Sequence, residues 1–143
     1  MPELHNLASG RLEIAVTPGE YDLSALCGFA ARRNPKRGFL FVSKVLGRYL
    51  PVRPSTLSAA CRALAAQLPE DLAGPIVVVG VAEAGLALAQ GVHRELHKAG
   101  RADALLVNTT RYRFDREVAF EFDEAHSHAP AHRVYHPSTL THR

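Results

Sequence analysis

The sequence contains few cysteines and no apolar run long enough to cross a bilayer. Cys27 and Cys61 stand far apart and outside any C-x-x-C pattern, which argues against a disulfide framework and favours reduced, buried thiols. A membrane-spanning helix needs roughly 20 consecutive apolar residues, whereas the longest apolar stretch lies around residues 75–82. The first residues lack the basic and then apolar order of a secretory signal. We therefore expect a cytoplasmic protein with no membrane partner.

The sequence also lacks the short motifs by which several enzyme classes are recognised. It contains no GK[ST] segment, no complete G-x-G-x-x-G and no G-x-S-x-G. A Walker phosphate loop, the usual dinucleotide fingerprint and the nucleophile elbow of serine hydrolases are therefore all missing. With 143 residues, 47% of them hydrophobic, the chain has the size and composition of a single domain over residues 1–143.

Acidic residues are absent from one long stretch of the chain, and basic residues fill it. No Asp or Glu occurs in residues 23–69, although the net charge of the whole chain is only +3. Such a block favours an anionic partner, either a phosphate-bearing small molecule or nucleic acid, and a solvated basic surface is the alternative. The basic residues of the stretch are Arg32, Arg33, Lys36, Arg37, Lys44, Arg48, Arg53 and Arg62.

The N-terminal part of the chain is predicted to hold short elements. Residues 11–17 alternate apolar and polar side chains, which predicts a strand followed by a turn, together forming an N-terminal segment over residues 1–22. Residues 21–31 favour a turn or a short helix. The aromatic and β-branched residues 38–43 predict a second strand.

A helix is predicted to begin at Ser55 or Thr56 and to end at Pro69. Apolar residues recur within it at helical spacing, which indicates one buried face. That face consists of Leu57, Ala60, Cys61, Leu64 and Leu68.

Residues 75–110 carry the pattern of a strand, a helix and a second, parallel strand. Residues 75–81 form a continuous run of mostly β-branched side chains, as expected of a strand that is covered on both faces. A helix over residues 86–98 follows, with Gly100 as its stop, and residues 103–110 predict the next strand. Such a unit is right-handed and its two strands are parallel.

The C-terminal part has weaker signals. Residues 112–114 and 118–122 alternate around Asp115-Arg116, which predicts a β-hairpin. Residues 126–143 are rich in His and Pro and have little core-forming character, so we expect an irregular tail.

The loop over residues 80–85, G-V-A-E-A-G, is the first candidate for chemistry. In open α/β sheets, ligands bind beyond the carboxyl ends of the strands. Small residues there let an anion approach the backbone, and the following helix adds the positive end of its dipole. Glu83 would repel a phosphate, so it faces a sugar hydroxyl or a metal ion, or caps the helix. The alternative interpretation is a tight structural turn.

The basic segment and a histidine cluster are two further candidates. Arg and Lys separated by Gly, Pro and Asn over residues 32–53 suit a loop that contacts phosphates, and the aromatic residues among them also allow nucleic-acid binding. The histidines suit substrate contact or proton transfer, a zinc set, or no chemical role. Because no cysteine lies near them, we expect no metal there. They are His126, His128, His132 and His136.

Four blocks in order give the chain a family resemblance. They read RNPKRGFLFVSKVLGRYLPVRPS, VVVGVAEAGLALAQGV, LLVNTTRY and FEFDEAHSHAPAHRVYHP. In this order they resemble the phosphoribosyltransferase-like proteins found with bacterial tellurium-resistance and stress operons. The resemblance runs from about residue 27 to residue 137.

The resemblance implies a type I phosphoribosyltransferase fold, that is, a parallel sheet flanked by helices, here with a C-terminal hairpin and loop region. It implies binding of phosphoribosyl pyrophosphate with magnesium, and transfer of ribose 5-phosphate to or from a base-like acceptor. The pyrophosphate loop would be Ala82, Glu83, Ala84 and Gly85. Further anion contacts would be Arg33, Lys36, Arg37, Lys44 and Arg111, and the segment closing over the substrate would contribute Glu124, His126 and His128.

The sequence departs from the family pattern in two places. The usual ETATG-like loop is AEAG here, with no threonine after Glu83. The later strand with two adjacent acidic residues and a Thr/Gly-rich loop does not follow His136, so we expect an incomplete domain, a completing chain or a homodimer. A non-catalytic ligand-sensing or partner-binding remnant of the fold is the alternative, and a nucleic-acid module using residues 32–53 is a further one.

Overall fold

The computed structural model describes residues 2–17, 22–34, 37–125 and 130–136 and shows mixed α/β structure. The chain divides into two compact units, Met1–Arg53 and Pro54–Arg143. Each unit has its own elements. Among the described residues, no helix has the length and apolar character required to cross a membrane.

The first unit consists of two antiparallel strand pairs and one short helix. Strands β1 (Glu3–Leu7) and β2 (Gly10–Ile14) form a hairpin. Helix α1 (Leu23–Leu26) leads directly into β3 (Cys27–Ala31), which pairs with β4 (Phe39–Ser43). The predicted strands over residues 11–17 and 38–43 and the short helix are confirmed. Strands β1 and β3 were not predicted from the sequence.

Contacts between aromatic rings join the strands of the first unit. The His5 ring lies 4.2 Å from Phe29, whose ring meets Phe41 edge-on at 5.0 Å. Phe29 and Phe41 are direct partners in the β3–β4 register. Because cross-strand aromatic pairs of this kind stabilise a small sheet, the hairpin β1–β2 is joined to β3–β4 through His5.

The second unit contains the predicted strand–helix–strand unit. Helix α2 (Pro54–Ala65) precedes β5 (Val77–Gly80), α3 (Leu86–Lys98) and β6 (Leu105–Asn108), and the two strands are parallel. The bounds of α3 are those predicted. Gly100 follows it with φ +88°, a conformation that favours glycine and ends the helix.

The C-terminal strands correct two predictions. Strand β7 (Val118–Asp123) pairs antiparallel with β8 (Ala131–Tyr135), so the hairpin expected between residues 112–114 and 118–122 is wrong. The expected irregular tail is wrong over β8, since its residues 132–134 are buried. The reason is that the polar side chains of β8 find partners inside the fold, which the sequence does not reveal.

The sheet arrangement is smaller than the single parallel sheet that was expected. In the described part of the chain, the strands form four two-stranded sheets, of which β5–β6 alone is parallel. An isolated antiparallel bridge joins Thr110, just beyond β6, to Arg133 of β8. The mixed α/β class is therefore shown, whereas one sheet flanked by helices is not.

One face of β5 is open, contrary to the prediction of burial on both faces. Val77 is 51% exposed, whereas Ile76 is 8% exposed. Ile76, Leu96 and Ala104 form the core of the unit, and α3 packs on that face. Exposed and partly buried residues alternate along β5 because α3 covers only one face of the strand.

Helices α2 and α3 approach each other closely at one glycine. A Cβ built on Gly91 would collide with the Sγ atom of Cys61, which is fully buried. Burial raises the pKa of the Cys61 thiol, and both cysteines are free, as expected. Leu64 is 46% exposed, so its predicted place on the buried face of α2 is wrong. The helix ends at Ala65, before the predicted stop at Pro69.

A buried carboxylate on α3 has three basic neighbours. Lys98 Nζ lies 2.9 Å from Glu95 Oε1, and the guanidinium groups of Arg62 and Arg94 lie 3.6 Å and 3.5 Å from its two oxygens. The hydrogen bond from Lys98 is the main cause that lowers the pKa of Glu95. Part of the basic charge noted in the sequence is therefore used inside the fold.

Replacing Gly91 with Ala should destabilise the protein by about 1–3 kcal/mol, because overpacking at Cys61 outweighs the better helix propensity of Ala. Urea unfolding of Gly91→Ala, Cys61→Ala and the double variant measures this. The double variant should lose less than the sum of the single losses, since Cys61→Ala removes the colliding sulfur. Additive losses would contradict the close contact.

Candidate functional site

The candidate site lies where β5 and β6 end side by side. Gly80, the last residue of β5, is paired in register with Asn108, the last residue of β6. Because the strands are parallel, the segments that follow them leave the same edge of the sheet. Residues 81–85 lead into α3, and residues 109–111 lead toward β8. This edge therefore brings the predicted loop next to Thr109 and Arg111.

The loop is narrow because two glycines allow close backbone packing. A Cβ at Gly80 would collide with the Asn108 side chain, and one at Gly85 would lie 2.7 Å from the carbonyl oxygen of Val81. The N–H of Gly85 donates to that same carbonyl at 3.0 Å. Gly85 is also the residue before α3, and no side chain caps this helix start. The loop thus brings main-chain atoms to the positive end of the helix dipole.

Thr109 connects three parts of this edge. Its side chain is buried, and its hydroxyl accepts a hydrogen bond from the N–H of Ala82 at 2.8 Å. The same oxygen lies 2.9 Å from Nδ1 of His132 on β8. The Thr109 N–H donates to the Gly80 carbonyl at 2.8 Å. One residue therefore joins the loop, the end of β6 and β8.

His132 is fully buried between the loop and β7. Its ring stacks on Phe122 with 5.0 Å between centroids and 5° between planes. Phe122 is its direct partner in the β7–β8 register. Within the described part of the chain, its Nε2 atom is buried without a hydrogen bond, and the nearest carboxylate, Glu124, lies 3.9 Å away. This nitrogen is an unsatisfied polar group in a tightly fixed ring.

Arg111 points at the same carboxylate. Its Nη2 atom lies 3.8 Å from Glu124 Oε2, the oxygen that also faces His132. Its Nη1 atom is buried without a hydrogen bond. The Arg111 carbonyl accepts a hydrogen bond from the guanidinium of Arg133 at 3.1 Å, and Arg133 pairs with Glu121. The main chain of Arg111 is thus held, while its guanidinium retains unused donor capacity.

Of the predicted residues, Arg111 and Glu124 face each other. The loop over residues 82–85 is tied through Ala82 to Thr109, and Thr109 contacts His132. The assignment of these residues to a site stays a prediction. Lys36, His126 and His128 lie outside the described residues. His132 was predicted only as one of a histidine cluster. The linking role of Thr109 was not predicted, although a threonine directly after a strand, level with the loop that follows the neighbouring parallel strand, is a usable signal.

The predicted anion contacts Arg33, Arg37 and Lys44 belong to the first unit. Lys44 Nζ donates to the Ser24 carbonyl at 2.8 Å and lines a cavity of about 420 Å³ with Cys27. Burial raises the pKa of the Cys27 thiol more than Lys44 lowers it, which disfavours a thiolate there. The Arg37 guanidinium lies 5.9 Å from the Phe39 ring centre.

Within the described ranges, no group of three or more His, Cys, Asp and Glu side chains is arranged to hold a metal ion. Two of the four histidines in the cluster, His126 and His128, lie outside those ranges. The zinc hypothesis for this cluster therefore remains a hypothesis from the sequence.

Comparison with known proteins identifies the family. A family model described as phosphoribosyl transferase matches residues 26–143, most of the chain. The chain therefore belongs to the phosphoribosyl transferase family. Searches among curated proteins and among solved structures each gave no significant match.

Removing the Thr109 hydroxyl should break the hydrogen bond that ties the loop, through the Ala82 N–H, to the end of β6. Thr109→Val keeps the side-chain shape but leaves the Ala82 N–H without its acceptor, and a buried unsatisfied group costs about 1–3 kcal/mol. We expect lower stability in urea and faster hydrogen exchange at the Ala82 amide. Thr109→Ser, the matched control, retains the hydroxyl and should keep that amide protected. Equal exchange in both variants would contradict the linking role.

Proposed function

We propose that this protein binds phosphoribosyl pyrophosphate, or a related nucleotide, at the edge formed by residues 82–85 and Arg111. In this proposal it transfers ribose 5-phosphate to or from a base-like acceptor. The observation that carries the proposal is the position of the loop: in a chain of this family, it follows a parallel strand, is hydrogen-bonded to Thr109 at the end of the neighbouring strand and ends at a helix start that no side chain caps.

The loop side of the site suits a pyrophosphate group. Ala82, Ala84 and Gly85 carry little or no side chain, so phosphate oxygens can approach the main chain. The 13 residues of α3 direct the positive end of their dipole toward this place. The Ala82 N–H, in contrast, is already used by Thr109, so it orders the loop rather than binding the ligand.

Arg111 provides the positive charge of the site. A guanidinium forms paired hydrogen bonds with phosphate oxygens, and such bonds to charged groups are among the strongest in proteins. Among the residues that the structure describes, Arg111 has no hydrogen bond at Nη1 and no carboxylate closer than Glu124 at 3.8 Å. This distance is too long for a direct hydrogen bond, so a phosphate can take Arg111 without breaking one.

The proposed reaction breaks the bond between ribose C1 and pyrophosphate and forms a bond between C1 and the acceptor nitrogen. Charge separates in the transition state, with negative charge on pyrophosphate and positive charge on the ribose ring. Arg111 and the loop would stabilise the leaving group. Glu124 is 46% exposed, and its carboxylate would stabilise the ribosyl cation or accept a proton from the acceptor. His126 and His128 are proposed to assist.

Magnesium fits the carboxylates near this edge. Mg²⁺ prefers oxygen ligands and is commonly bound by one or two carboxylates together with substrate phosphates. Glu83 and Glu124 are exposed carboxylates on the loop and at the end of β7. We propose that they hold the ion when the substrate is present. The ion would neutralise charge on the pyrophosphate as it leaves.

The remaining features extend the proposal beyond this edge. The first unit would contact anions through Arg33, Lys36, Arg37 and Lys44. The four ordered sequence blocks support membership of the family branch found with bacterial tellurium-resistance and stress operons.

Calorimetric titration with phosphoribosyl pyrophosphate and magnesium tests the proposal. Arg111→Ala should weaken binding about 10- to 100-fold, the loss expected for a hydrogen bond to a charged group. Arg113→Ala is the matched control, because Arg113 is exposed and has the same charge two residues away. Equal affinities for the wild type and Arg111→Ala would contradict the site.

Pyrophosphate release with a panel of purine, pyrimidine and related bases distinguishes an enzyme from a ligand-binding protein. Release that depends on an acceptor supports transfer. Binding of phosphoribosyl pyrophosphate without release from any acceptor would favour the non-catalytic alternative, and absence of binding by the wild type would overturn both.

A further inference from the structure

We infer that His132 is a positioning residue that fixes the loop and Glu124 relative to each other through its two ring nitrogens. The inference rests on the proposed function for what Glu124 does to the substrate. It rests on the structure for the contacts of the ring. No catalytic contact with substrate is assigned to His132, because its side chain is fully buried.

The hydrogen bonds around Thr109 determine the tautomer of His132. Thr109 Oγ1 accepts the hydrogen of the Ala82 N–H, and its own hydroxyl hydrogen needs an acceptor. His132 Nδ1 lies 2.9 Å away and provides that acceptor when it carries no hydrogen. The ring hydrogen is then on Nε2, as in a neutral imidazole. Each donor in the series thus has an acceptor, and aligned bonds of this kind reinforce one another.

This tautomer also suits the other side of the ring. An Nε2–H faces the Glu124 carboxylate at 3.9 Å, whereas a bare Nε2 lone pair would face a negative oxygen and be repelled. The Arg111 guanidinium lies 3.8 Å from the same carboxylate oxygen. The tautomer with its hydrogen on Nε2 therefore suits both neighbours of the ring, Thr109 and Glu124.

The hydrogen bonds run from the Ala82 N–H through Thr109 to His132, and the contact of His132 with Glu124 is the one that is not yet a hydrogen bond. Arg111 Nη2 and His132 Nε2 both lie too far from the Glu124 carboxylate for a hydrogen bond. The main chain of Glu124 is held in place, because its N–H donates to the Pro130 carbonyl at 2.9 Å. When a phosphate takes Arg111, the guanidinium leaves the Glu124 oxygen that also faces His132, and Nε2–H becomes the nearest side-chain donor to that oxygen. A small side-chain rotation then completes the series from Ala82 to Glu124.

The ring is held firmly enough to act as such a spacer. Phe122 stacks against one face, Thr109 fixes one nitrogen, and β8 is paired with β7 on one side and bridged to Thr110 through Arg133 on the other. Because the ring has so little freedom, it keeps a constant spacing between Thr109, which holds the loop, and Glu124. The buried unsatisfied Nε2 is explained as the donor reserved for the bound state.

Two substitutions separate the two nitrogens. In His132→Asn the amide reaches only the position of Nδ1, so the bond with Thr109 is kept and the contact with Glu124 is lost. In His132→Gln the amide reaches the position of Nε2, with the reverse result. Inorganic pyrophosphate probes the loop alone, whereas phosphoribosyl pyrophosphate also probes the ribosyl contact that Glu124 provides.

We expect His132→Asn to bind pyrophosphate with magnesium as the wild type does, within about twofold. Its affinity for phosphoribosyl pyrophosphate should fall about tenfold, the change expected for loss of one hydrogen bond to a charged group. His132→Gln should weaken both ligands, because the loop loses its anchor. His97→Asn, at an exposed histidine in the last turn of α3 and so at the opposite end of that helix from the loop, is the control and should change neither. Equal effects on both ligands in His132→Asn would overturn the inference.

A ligand-free measurement keeps this inference separable from the proposed function. The ¹⁵N shifts of the His132 ring in the wild-type protein should show an unprotonated Nδ1 and a protonated Nε2. The opposite tautomer would overturn the inference whether or not ligands bind. If the wild type binds neither ligand, the proposed function fails, and the ring shifts still decide the order of the hydrogen bonds.

Discussion

The second unit depends on a single buried hydroxyl. Thr109 Oγ1 meets the Ala82 N–H and His132 Nδ1 at hydrogen-bond distance, so the loop after β5, the end of β6 and strand β8 meet at one atom. A buried hydroxyl is stable only when its partners are present. The position of the loop and the position of β8 are therefore not independent, and both follow from one side chain at the end of a strand.

The same constraint explains why the candidate site has unused donors. Thr109 Oγ1 pairs with the Ala82 N–H and with His132 Nδ1. Among the described residues, His132 Nε2 and Arg111 Nη1 lie buried without hydrogen bonds. Unsatisfied buried polar atoms are few in native proteins and mark places where something else completes the structure. His132 Nε2 and Arg111 Nη2 both face Glu124 Oε2, and a phosphate-bearing ligand is proposed to act there. Membership of the phosphoribosyl transferase family gives this chemistry a context.

The strand–helix–strand unit could be predicted from local sequence patterns. The C-terminal strands could not, because they depend on pairing between residues that are distant in the sequence. Helix α3 has its stop signal in Gly100, next to it in the sequence, so its bounds could be predicted. Strand β8 contains His132 and Arg133, which suggest a solvated segment when read alone. They are buried because Thr109 and Glu121 pair with them, and those partners lie 23 and 12 residues away in the sequence.

In the candidate site too, local sequence signals allow a prediction, whereas contacts between distant residues do not. The loop over residues 82–85 and Arg111 were predicted because small residues before a helix and a basic residue after a strand are local signals. The roles of Thr109 and of the two nitrogens of His132 could not be predicted, since they depend on distances between strands that only the fold sets. The open face of β5 has the same origin: a run of β-branched residues does not reveal how many of its faces are covered.

Titration of the ¹⁵N-labelled protein with phosphoribosyl pyrophosphate and magnesium, followed by amide chemical shifts, tests the central claim most directly. The account predicts the largest shifts in residues 82–85 and 108–111, at the joint edge of β5 and β6. Absence of shifts at saturating ligand, or shifts confined to residues far from this edge, would contradict it.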